Sequence, residues 1–262
     1  MAVIRSADGT SIAYEIEGDG PVVVLVDGAM CFRESGPQRP IAAALRDRLR
    51  VVLYDRRGRG ESGSSDPSAP LQHEIEDLDA VIEAAGGRAA LFGMSSGGAL
   101  ALAAAAALGA DRVSRVAVYE PPYLPDAMLG SAEAYTRDLS AALAGGDHEA
   151  AIELFLRRVG VPEAGIDGMQ RSPGWAGTVA LAPTLAYDDA AMGDSRVPED
   201  LLAALAVPVL GLAGGASPEF LRFGAEGVAA GAQDGTFELV EGQTHDIDGA
   251  ALAPHLVRFI AA

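Results

Sequence analysis

Several amino acids are missing or nearly missing from the 262-residue sequence, which contains no lysine, no asparagine and a single cysteine, Cys31. Without lysine the chain cannot form a Schiff base, anchor pyridoxal phosphate or supply the lysine of a phosphate-binding P-loop. One cysteine excludes an intramolecular disulfide and a metal cluster built on cysteines. We therefore expect a protein that uses no cofactor or metal and that resides in a reducing, cytoplasmic setting.

Positive charge is also scarce, since 19 basic residues stand against 37 acidic ones and give a net charge of −18. Such a surface repels nucleic acid and anionic lipid. The N-terminal residues show no basic stretch followed by an apolar one, so we expect no secretion signal. The uncharged stretch 89–110 is interrupted by glycines and serines, which argues against a membrane span. The expected partner is a small molecule rather than nucleic acid or a membrane, and the oligomeric state is left open.

The order of apolar and helical segments predicts an α/β protein. Short apolar runs alternate with helical stretches, which is typical of a mostly parallel sheet with helices on both faces. The first two strands flank Asp8-Gly9, a pair that favours a hairpin turn, so they should be antiparallel and the other six parallel. The eight strands are predicted at 2–6, 11–17, 22–27, 50–55, 89–94, 113–119, 207–213 and 236–241.

The strand rhythm stops after Tyr119 and resumes at Val207. The intervening stretch of about 85 residues is too long for a connection in a compact sheet, so we expect a helical cap inserted above the strand ends. The expected division is an α/β core of residues 1–121 and 207–262 with a cap of residues 122–206.

Three amphipathic helices are predicted from apolar residues that recur every three or four positions. They cover 71–84, 148–159 after the N-cap residue Asp147, and 249–261. The first of them carries His73 beside Glu74 and Asp77, on the side that we expect to face solvent. His148, in the first turn of the second helix, is also expected to be exposed. His255 lies beside the apolar side of the third helix and is interpreted as structural rather than catalytic.

The sharpest local signal is the run at 93–97, which reads G-M-S-S-G. It follows an apolar strand and precedes a helix of small residues, which is the context of a G-x-S-x-G elbow. The glycines permit a tight turn, and the central serine is held in a strained conformation with its hydroxyl exposed at the helix N-terminus. The motif therefore predicts Ser95 as a nucleophile.

A serine nucleophile needs a histidine base, and the base needs a carboxylate that fixes its tautomer. His245 lies in the loop after the last predicted strand, from where it can reach the elbow. Glu120 ends the strand beside the nucleophile strand and is the preferred acid. The loop after 207–213 has no aspartate where such sheets commonly supply one. Glu219 beyond that loop is the main alternative, and Asp246, adjacent in sequence to His245, is poorly placed to meet its Nδ1. Another acid, or none, is the third alternative.

Acyl transfer through a tetrahedral intermediate also needs two backbone N–H donors for the oxyanion. Ser96, the residue after the nucleophile, supplies one of them. The second is expected at the end of the third strand, from the N–H of Gly28 or, as the alternative, of Ala29. Cys31 close by is interpreted as a small buried apolar side chain.

Together these features resemble the α/β-hydrolase superfamily over nearly the whole chain outside the cap. The motifs that carry the resemblance are V-V-V-L-V-D-G at 22–28, Y-D-R-R-G-R-G-E-S at 54–62, G-M-S-S-G-G at 93–98 and G-Q-T-H at 242–245. Within the superfamily the sequence resembles the zearalenone lactonase group, in Asp-Gly after the third strand, Ser-Ser in the elbow and Glu-x-Pro after the sixth strand. The resemblance implies a hydrolase that opens esters or lactones, with Ser95, Glu120 and His245 as triad and Gly28 and Ser96 as oxyanion donors.

The substrate is less well defined, because the cap builds the pocket in this kind of fold. Met94, Trp175 and Tyr187 are candidate pocket residues, and a packing role inside the cap is an equal alternative for the two aromatic ones. A serine at the nucleophile position argues against epoxide hydrolases and haloalkane dehalogenases, which use aspartate there. We predict a serine hydrolase acting on an ester or lactone of a small, largely apolar molecule. The alternative is a non-hydrolytic protein of the same fold, either a small-molecule receptor or a biosynthetic cyclase or lyase.

Overall fold

The computed structural model describes residues 1–64 and 70–262. The strands in this part of the chain are β1 (Ala2–Arg5), β2 (Ser11–Glu17), β3 (Val22–Val26), β4 (Arg50–Tyr54), β5 (Ala89–Met94), β6 (Val113–Tyr119), β7 (Val209–Gly214) and β8 (Gly235–Val240). They form one eight-stranded sheet in the order β1-β2-β4-β3-β5-β6-β7-β8. Strand β2 runs antiparallel to β1 and β4, and every other neighbouring pair is parallel. The predicted fold class is therefore confirmed, and each strand end lies within two residues of its predicted position.

Helices lie between most of the strands. They are α1 (Gln38–Leu45), α2 (Pro70–Ala85), α3 (Ser96–Leu108), α4 (Leu129–Ala144), α5 (His148–Arg158), α6 (Glu163–Gln170), α7 (Trp175–Ala180), α8 (Leu185–Met192), α9 (Glu199–Ala204), α10 (Glu219–Gly231) and α11 (Gly249–Ile260). The three helices predicted from sequence are confirmed as α2, α5 and α11. Asp147 caps α5, because its carboxylate accepts the N–H of Ala150 at 3.0 Å. Among the described residues, no helix combines the length and the apolar character needed to cross a bilayer.

Two apolar cores cover the two faces of the sheet, because successive residues of a strand point to opposite sides. Val24 and Val26 pack on one face with residues of α2 and α3. Val23 and Leu25 pack on the other face with residues of α1 and α11. Burial on both faces explains why β3 is a continuous apolar run. Because the strands from β3 to β8 run parallel to one another, their carboxyl ends meet at one edge of the sheet. Open α/β sheets place their sites at this edge.

Residues 122–206, here called the cap segment, contain α4 to α9. Every residue of this segment is described, and none lies in a strand. Its helices bury an apolar cluster of their own, which includes Ile152 and Trp175. Ala29 and Met30, from the loop after β3, pack against that cluster. The cap segment thus contacts the loop after β3, which lies beside the elbow. The division of the chain into a core of residues 1–121 and 207–262 and a cap of residues 122–206 stays a prediction.

The expectation that the acidic side of α2 faces solvent is wrong. Glu74 and Asp77 are each 1% exposed. Arg56 bonds both oxygens of Glu74 at 2.6 Å, and Arg57 bonds both oxygens of Asp77 at 2.7 Å. A buried carboxylate is tolerated when it is paired and hydrogen-bonded. The arginines belong to the loop after β4, so the spacing within α2 alone carries no sign of them.

Candidate active site

Ser95 stands at a sharp turn between β5 and α3. Its backbone has φ 55° and ψ −131°, and a positive φ is uncommon for any residue other than glycine. A Cβ at Gly93 would lie 2.3 Å from the carbonyl oxygen of Gly97, and one at Gly97 would lie 2.3 Å from that of Val26. The two glycines are therefore required by close approach of the backbone. The turn leaves Ser95 half-buried at the start of α3, as in a nucleophile elbow.

Glu120 and His245 form a hydrogen-bonded pair at the same edge of the sheet. Glu120 directly follows β6, has a φ of 46° and is 0% exposed. Its Oε2 lies 2.8 Å from His245 Nδ1, and its Oε1 accepts the backbone N–H of Gly214 at 2.7 Å. Both carboxylate oxygens are engaged, so the imidazole is held with Nδ1 toward the acid. The other ring nitrogen, Nε2, is left for a different partner.

Two hydrogen bonds through Tyr119 connect the elbow to this pair. The N–H of Ser95 donates to the carbonyl of Tyr119 at 2.9 Å, beside the point where β6 leads into Glu120. The Tyr119 hydroxyl donates to the carbonyl of Thr244 at 2.5 Å, one residue before His245. Within the described residues no hydrogen bond joins Ser95 to His245 directly. Such bonds are often long until substrate binds, so this geometry is compatible with a nucleophile and its base.

The two alternative acids lie on the surface. Glu219 begins α10 and Asp246 follows His245, and both residues are exposed. The loop after β7, which has no aspartate, contributes the N–H of Gly214 to Glu120 instead of an acid of its own. Of the three candidate carboxylates, Glu120 is the one in contact with the histidine.

The candidate oxyanion donors lie on two sides of Ser95. A Cβ added to Gly28 would lie 3.0 Å from the Cβ of Ser95, so the backbone of Gly28 lies directly against the serine. The Gly28 carbonyl points toward Arg59, from which it accepts a hydrogen bond at 2.7 Å. In the planar trans peptide between Gly28 and Ala29, the N–H of Ala29 therefore points away from Arg59. Ser96 begins α3, where N–H groups have no partner within the helix. Gly28 and Ala29 both remain candidates for the second donor.

Asp27, directly before Gly28, is a carboxyl group with 2% exposure. Its Oδ2 accepts a hydrogen bond from Gln38 Nε2 at 2.6 Å. Burial raises the pKa of Asp27 to about 7, although the Gln38 bond and two nearby arginines act in the opposite direction. The carboxyl group next to the candidate oxyanion segment therefore changes its protonation state near neutral pH.

A buried charge network that the sequence analysis did not single out lies beside Ser96. Arg56 and Arg59 come from the loop after β4, and Asp188 comes from α8 of the cap segment. The Asp188 carboxylate accepts the Ser96 hydroxyl at 2.8 Å. Burial alone would raise the pKa of Asp188, but Arg56 and Arg59 outweigh it and hold the pKa below its usual value. The sequence signals for this network are the arginine-rich motif at 54–62 and an Asp-Asp pair in the otherwise uncharged helix α8.

The three candidate pocket residues have different surroundings. Met94 is half-buried and packs against the core beneath α1 and α11. Trp175 is buried in the apolar cluster of the cap segment, with its indole nitrogen 3.3 Å from Glu149 Oε1. Tyr187 lines a cleft of about 440 Å³ whose lining does not include Ser95. These surroundings fit the packing alternative for Trp175 and leave the pocket roles of the other two as predictions.

The remaining histidines do not join this site. His255 Nδ1 lies 2.5 Å from Glu238 of β8, and His148 lines the cleft beside Tyr187. Across residues 1–64 and 70–262, no group of three or more His, Cys, Asp or Glu side chains is arranged to hold a metal ion.

The mostly parallel sheet with a strand-turn-helix serine at its carboxyl edge defines the α/β-hydrolase class. The chain belongs to the alpha/beta hydrolase family, whose model matches residues 23–257. An α/β hydrolase from Sphaerobacter thermophilus DSM 20745 is 43% identical and superposes with a TM-score of 0.85, over 98% of this chain and 99% of that one.

More distant structures share the fold. A thermophilic esterase from Thermogutta terrifontis is 24% identical with a TM-score of 0.69, over 99% of this chain and 96% of that one. The enol-lactonase from Burkholderia xenovorans LB400 is 21% identical with a TM-score of 0.68, over 99% of this chain and 98% of that one.

One relative matches over part of the sequence. A Mycobacterium tuberculosis (strain ATCC 25618 / H37Rv) protein named probable oxidoreductase EphD is 40% identical over 85 residues, and this match spans 30% of the chain and 14% of that relative. None of these four proteins is described as a zearalenone lactonase, so that narrower resemblance stays a prediction.

Proposed function

We propose that the protein is a serine hydrolase that cleaves a carboxylic ester or lactone of a small, largely apolar molecule through an acyl-enzyme intermediate. The observation that carries the proposal is the 2.8 Å contact between Glu120 and His245 at the sheet edge where Ser95 occupies its positive-φ turn. A serine, a carboxylate and a histidine in this chain order are the groups that acyl transfer by a serine requires. Membership of the hydrolase family supports the same reaction class.

In the proposed mechanism the Ser95 hydroxyl attacks the carbonyl carbon while Nε2 of His245 takes its proton. Glu120 holds the imidazole in the required tautomer and stabilises the imidazolium. The N–H groups of Ser96 and Gly28 stabilise the oxyanion of the tetrahedral intermediate. Collapse of this intermediate expels the alcohol, which takes the proton from His245, and leaves an acyl group on Ser95. Water, deprotonated by His245, then attacks the acyl carbon. Collapse of this second tetrahedral intermediate releases the acid, and Ser95 takes the proton back from His245.

The proposed substrate is neutral or weakly polar. A net charge of −18 disfavours polyanionic substrates. The resemblance to the zearalenone lactonase group, carried by Asp27-Gly28, the Ser95-Ser96 pair and an acid after β6, implies an ester or a lactone. The fold that the chain shares with an esterase and an enol-lactonase is compatible with either an open-chain ester or a cyclic one.

A turnover screen tests the proposal. The purified protein is assayed against acyl esters of increasing chain length and against macrocyclic lactones in water enriched in oxygen-18. We expect one labelled oxygen in the carboxylate of the product, because water cleaves the acyl-enzyme. Ser95→Ala should abolish turnover. Ser131→Ala makes the same chemical change at an exposed helix position, where the hydroxyl donates to the Met128 carbonyl, and should leave turnover intact.

Three results would overturn the proposal. Unchanged product formation by Ser95→Ala would remove the nucleophile. Stoichiometric binding of a ligand without turnover across the screen would favour a receptor. A rearranged product that carries no label from water would favour a cyclase or lyase.

A further inference from the structure

The carboxylate of Asp188 reaches from the cap segment to Ser96 and to two arginines that contact the Asp27-Gly28 loop. Its Oδ1 accepts hydrogen bonds from the Ser96 hydroxyl at 2.8 Å and from Arg56 Nη1 at 2.6 Å. Its Oδ2 accepts one from Arg59 Nη2 at 2.5 Å. One side chain of the cap segment thus bonds the residue after the nucleophile and two arginines of the core.

The same two arginines hold the loop that carries the other donor. Arg59 Nη1 donates to the carbonyl of Gly28 at 2.7 Å, and Arg56 Nη1 donates to the carbonyl of Asp27 at 3.0 Å. Both guanidinium groups are 0% exposed and the Asp188 carboxylate is 8% exposed. In a site so poorly hydrated, charge-assisted hydrogen bonds of this kind are strong and directional.

The charges of this cluster balance. Arg56 also pairs with Glu74 at 2.6 Å, so two guanidinium groups face two carboxylates. An unpaired carboxylate beside a developing oxyanion would repel it, whereas Asp188 is neutralised by its own partners. The four side chains Arg56, Arg59, Glu74 and Asp188 therefore carry no net charge.

We propose that Asp188 is a positioning residue for the oxyanion hole, which fixes Ser96 through its hydroxyl and the Asp27-Gly28 loop through Arg56 and Arg59. The inference rests on the proposed serine mechanism. Oxyanion donors act within a narrow range of distances, about 2.7 to 3.1 Å from the oxyanion, so a small displacement of either segment is costly. The second serine of the elbow motif is accordingly a structural link to the cap segment and not a spare nucleophile.

Asp188→Asn tests this inference, because an amide offers an oxygen on one side only. The NH2 group either replaces Oδ2 and faces Arg59, or replaces Oδ1 and faces Arg56. Both arginines are donors, so neither orientation keeps both hydrogen bonds. Removing one oxyanion donor outright costs about 10² to 10³ in kcat. For displaced donors we expect a smaller loss, about 10-fold to 100-fold in kcat, with KM within about threefold.

A transition-state analogue separates positioning from general damage to the fold. A trifluoromethyl ketone adds to the nucleophilic serine and forms an oxyanion, whereas the matching methyl ketone binds only as a ground-state mimic. In Asp188→Asn the affinity for the fluorinated ketone should fall by the same factor as kcat/KM, and that for the methyl ketone should stay within about twofold. Partial unfolding alone would lower the concentration of active sites, but it would not weaken binding of the fluorinated ketone relative to binding of the methyl ketone.

The matched control is Asp189→Asn, on the next residue of α8. Asp189 accepts the Thr136 hydroxyl at 2.8 Å within the cap segment, and this variant should keep kcat within about twofold. If Asp188→Asn does not fold, Ser96→Ala decides the question, because it keeps the backbone N–H and removes the hydroxyl that bonds Asp188. A fall in kcat and in fluorinated-ketone affinity of about fivefold or more supports the inference.

The inference is overturned if the folded Asp188→Asn variant, or Ser96→Ala where that variant does not fold, keeps kcat and fluorinated-ketone affinity within about twofold of the wild type. An inactive Ser95→Ala together with a fully active Asp188→Asn would refute this inference alone. An active Ser95→Ala would refute the proposed function as well.

Discussion

Glu120→Gln replaces a fully buried carboxylate whose two oxygens both accept hydrogen bonds. Oε2 lies 2.8 Å from His245 Nδ1 and Oε1 lies 2.7 Å from the N–H of Gly214. A glutamine in the same place has one oxygen and one NH2 group. If the NH2 group faces Gly214, two donors oppose each other in a site with 0% exposure. If it faces His245, the ring nitrogen loses its acceptor and the imidazole takes the wrong tautomer.

The second arrangement avoids the clash at Gly214 and should dominate. A triad carboxylate changed to its amide costs up to about 10⁴ in kcat. We therefore expect kcat to fall by about 10² to 10⁴, which corresponds to about 3 to 5 kcal/mol of barrier. The KM should change much less, because the acid acts mainly in the transition state. Steady-state kinetics on the best substrate of the screen measures both parameters.

Glu219→Gln and Asp246→Asn are the matched controls, since both residues are exposed and should keep kcat within about tenfold. A near-normal kcat for Glu120→Gln with a large loss for Glu219→Gln would refute the assignment and move the acid to the segment after β7. If none of the three substitutions matters, the reasoning from the triad fails altogether.

Three further predictions concern Asp27, Gly97 and metal dependence. The pKa of Asp27 is raised from 3.8 to about 7 in the folded protein, so its contribution to stability is fully present below about pH 4 and is lost as the pH rises toward 7. The stability of Asp27→Asn relative to the wild type should therefore rise by about 3 kcal/mol between about pH 5 and pH 8. Urea unfolding of both proteins at these two pH values measures this, and an equal stability difference at both would contradict it. Gly97→Ala places a Cβ 2.3 Å from the carbonyl oxygen of Val26, whereas Gly130→Ala meets nothing within 4 Å. The former should cost about 1 to 3 kcal/mol in the free energy of unfolding and lower activity, and the latter should do neither; equal melting temperatures would refute the argument. A chelator should leave turnover unchanged, because the proposed mechanism uses side chains alone, and a loss restored by one divalent ion would contradict that mechanism.

The sheet and its main helices could be predicted because their burial is written in local patterns. Strand β3 is apolar throughout since it is covered on both faces. The spacing of Leu252 and Leu256 marks the buried side of α11. The elbow glycines and the position of Glu120 at the end of a strand are equally local, which is why the candidate site residues could be named from the sequence.

The buried charges could not be predicted in this way. Asp188 bonds Arg56 and Arg59 across 132 and 129 residues of sequence, and no local pattern connects partners so far apart. The same arginine-rich loop buries the acidic side of α2. The surroundings of Trp175 depend on how the helices of the cap segment pack on one another, which their individual spacing does not determine.

Covalent labelling of the intact enzyme tests the central claim most directly. A fluorophosphonate transfers its phosphonyl group to an activated serine oxygen and releases fluoride. We predict one added group per chain by intact mass, located by peptide mapping on Ser95, with no label on Ser95→Ala. The Ser96 hydroxyl donates to Asp188 at 2.8 Å and should stay unlabelled. A label on Ser96, or full turnover by a protein that takes up no label, would contradict the account.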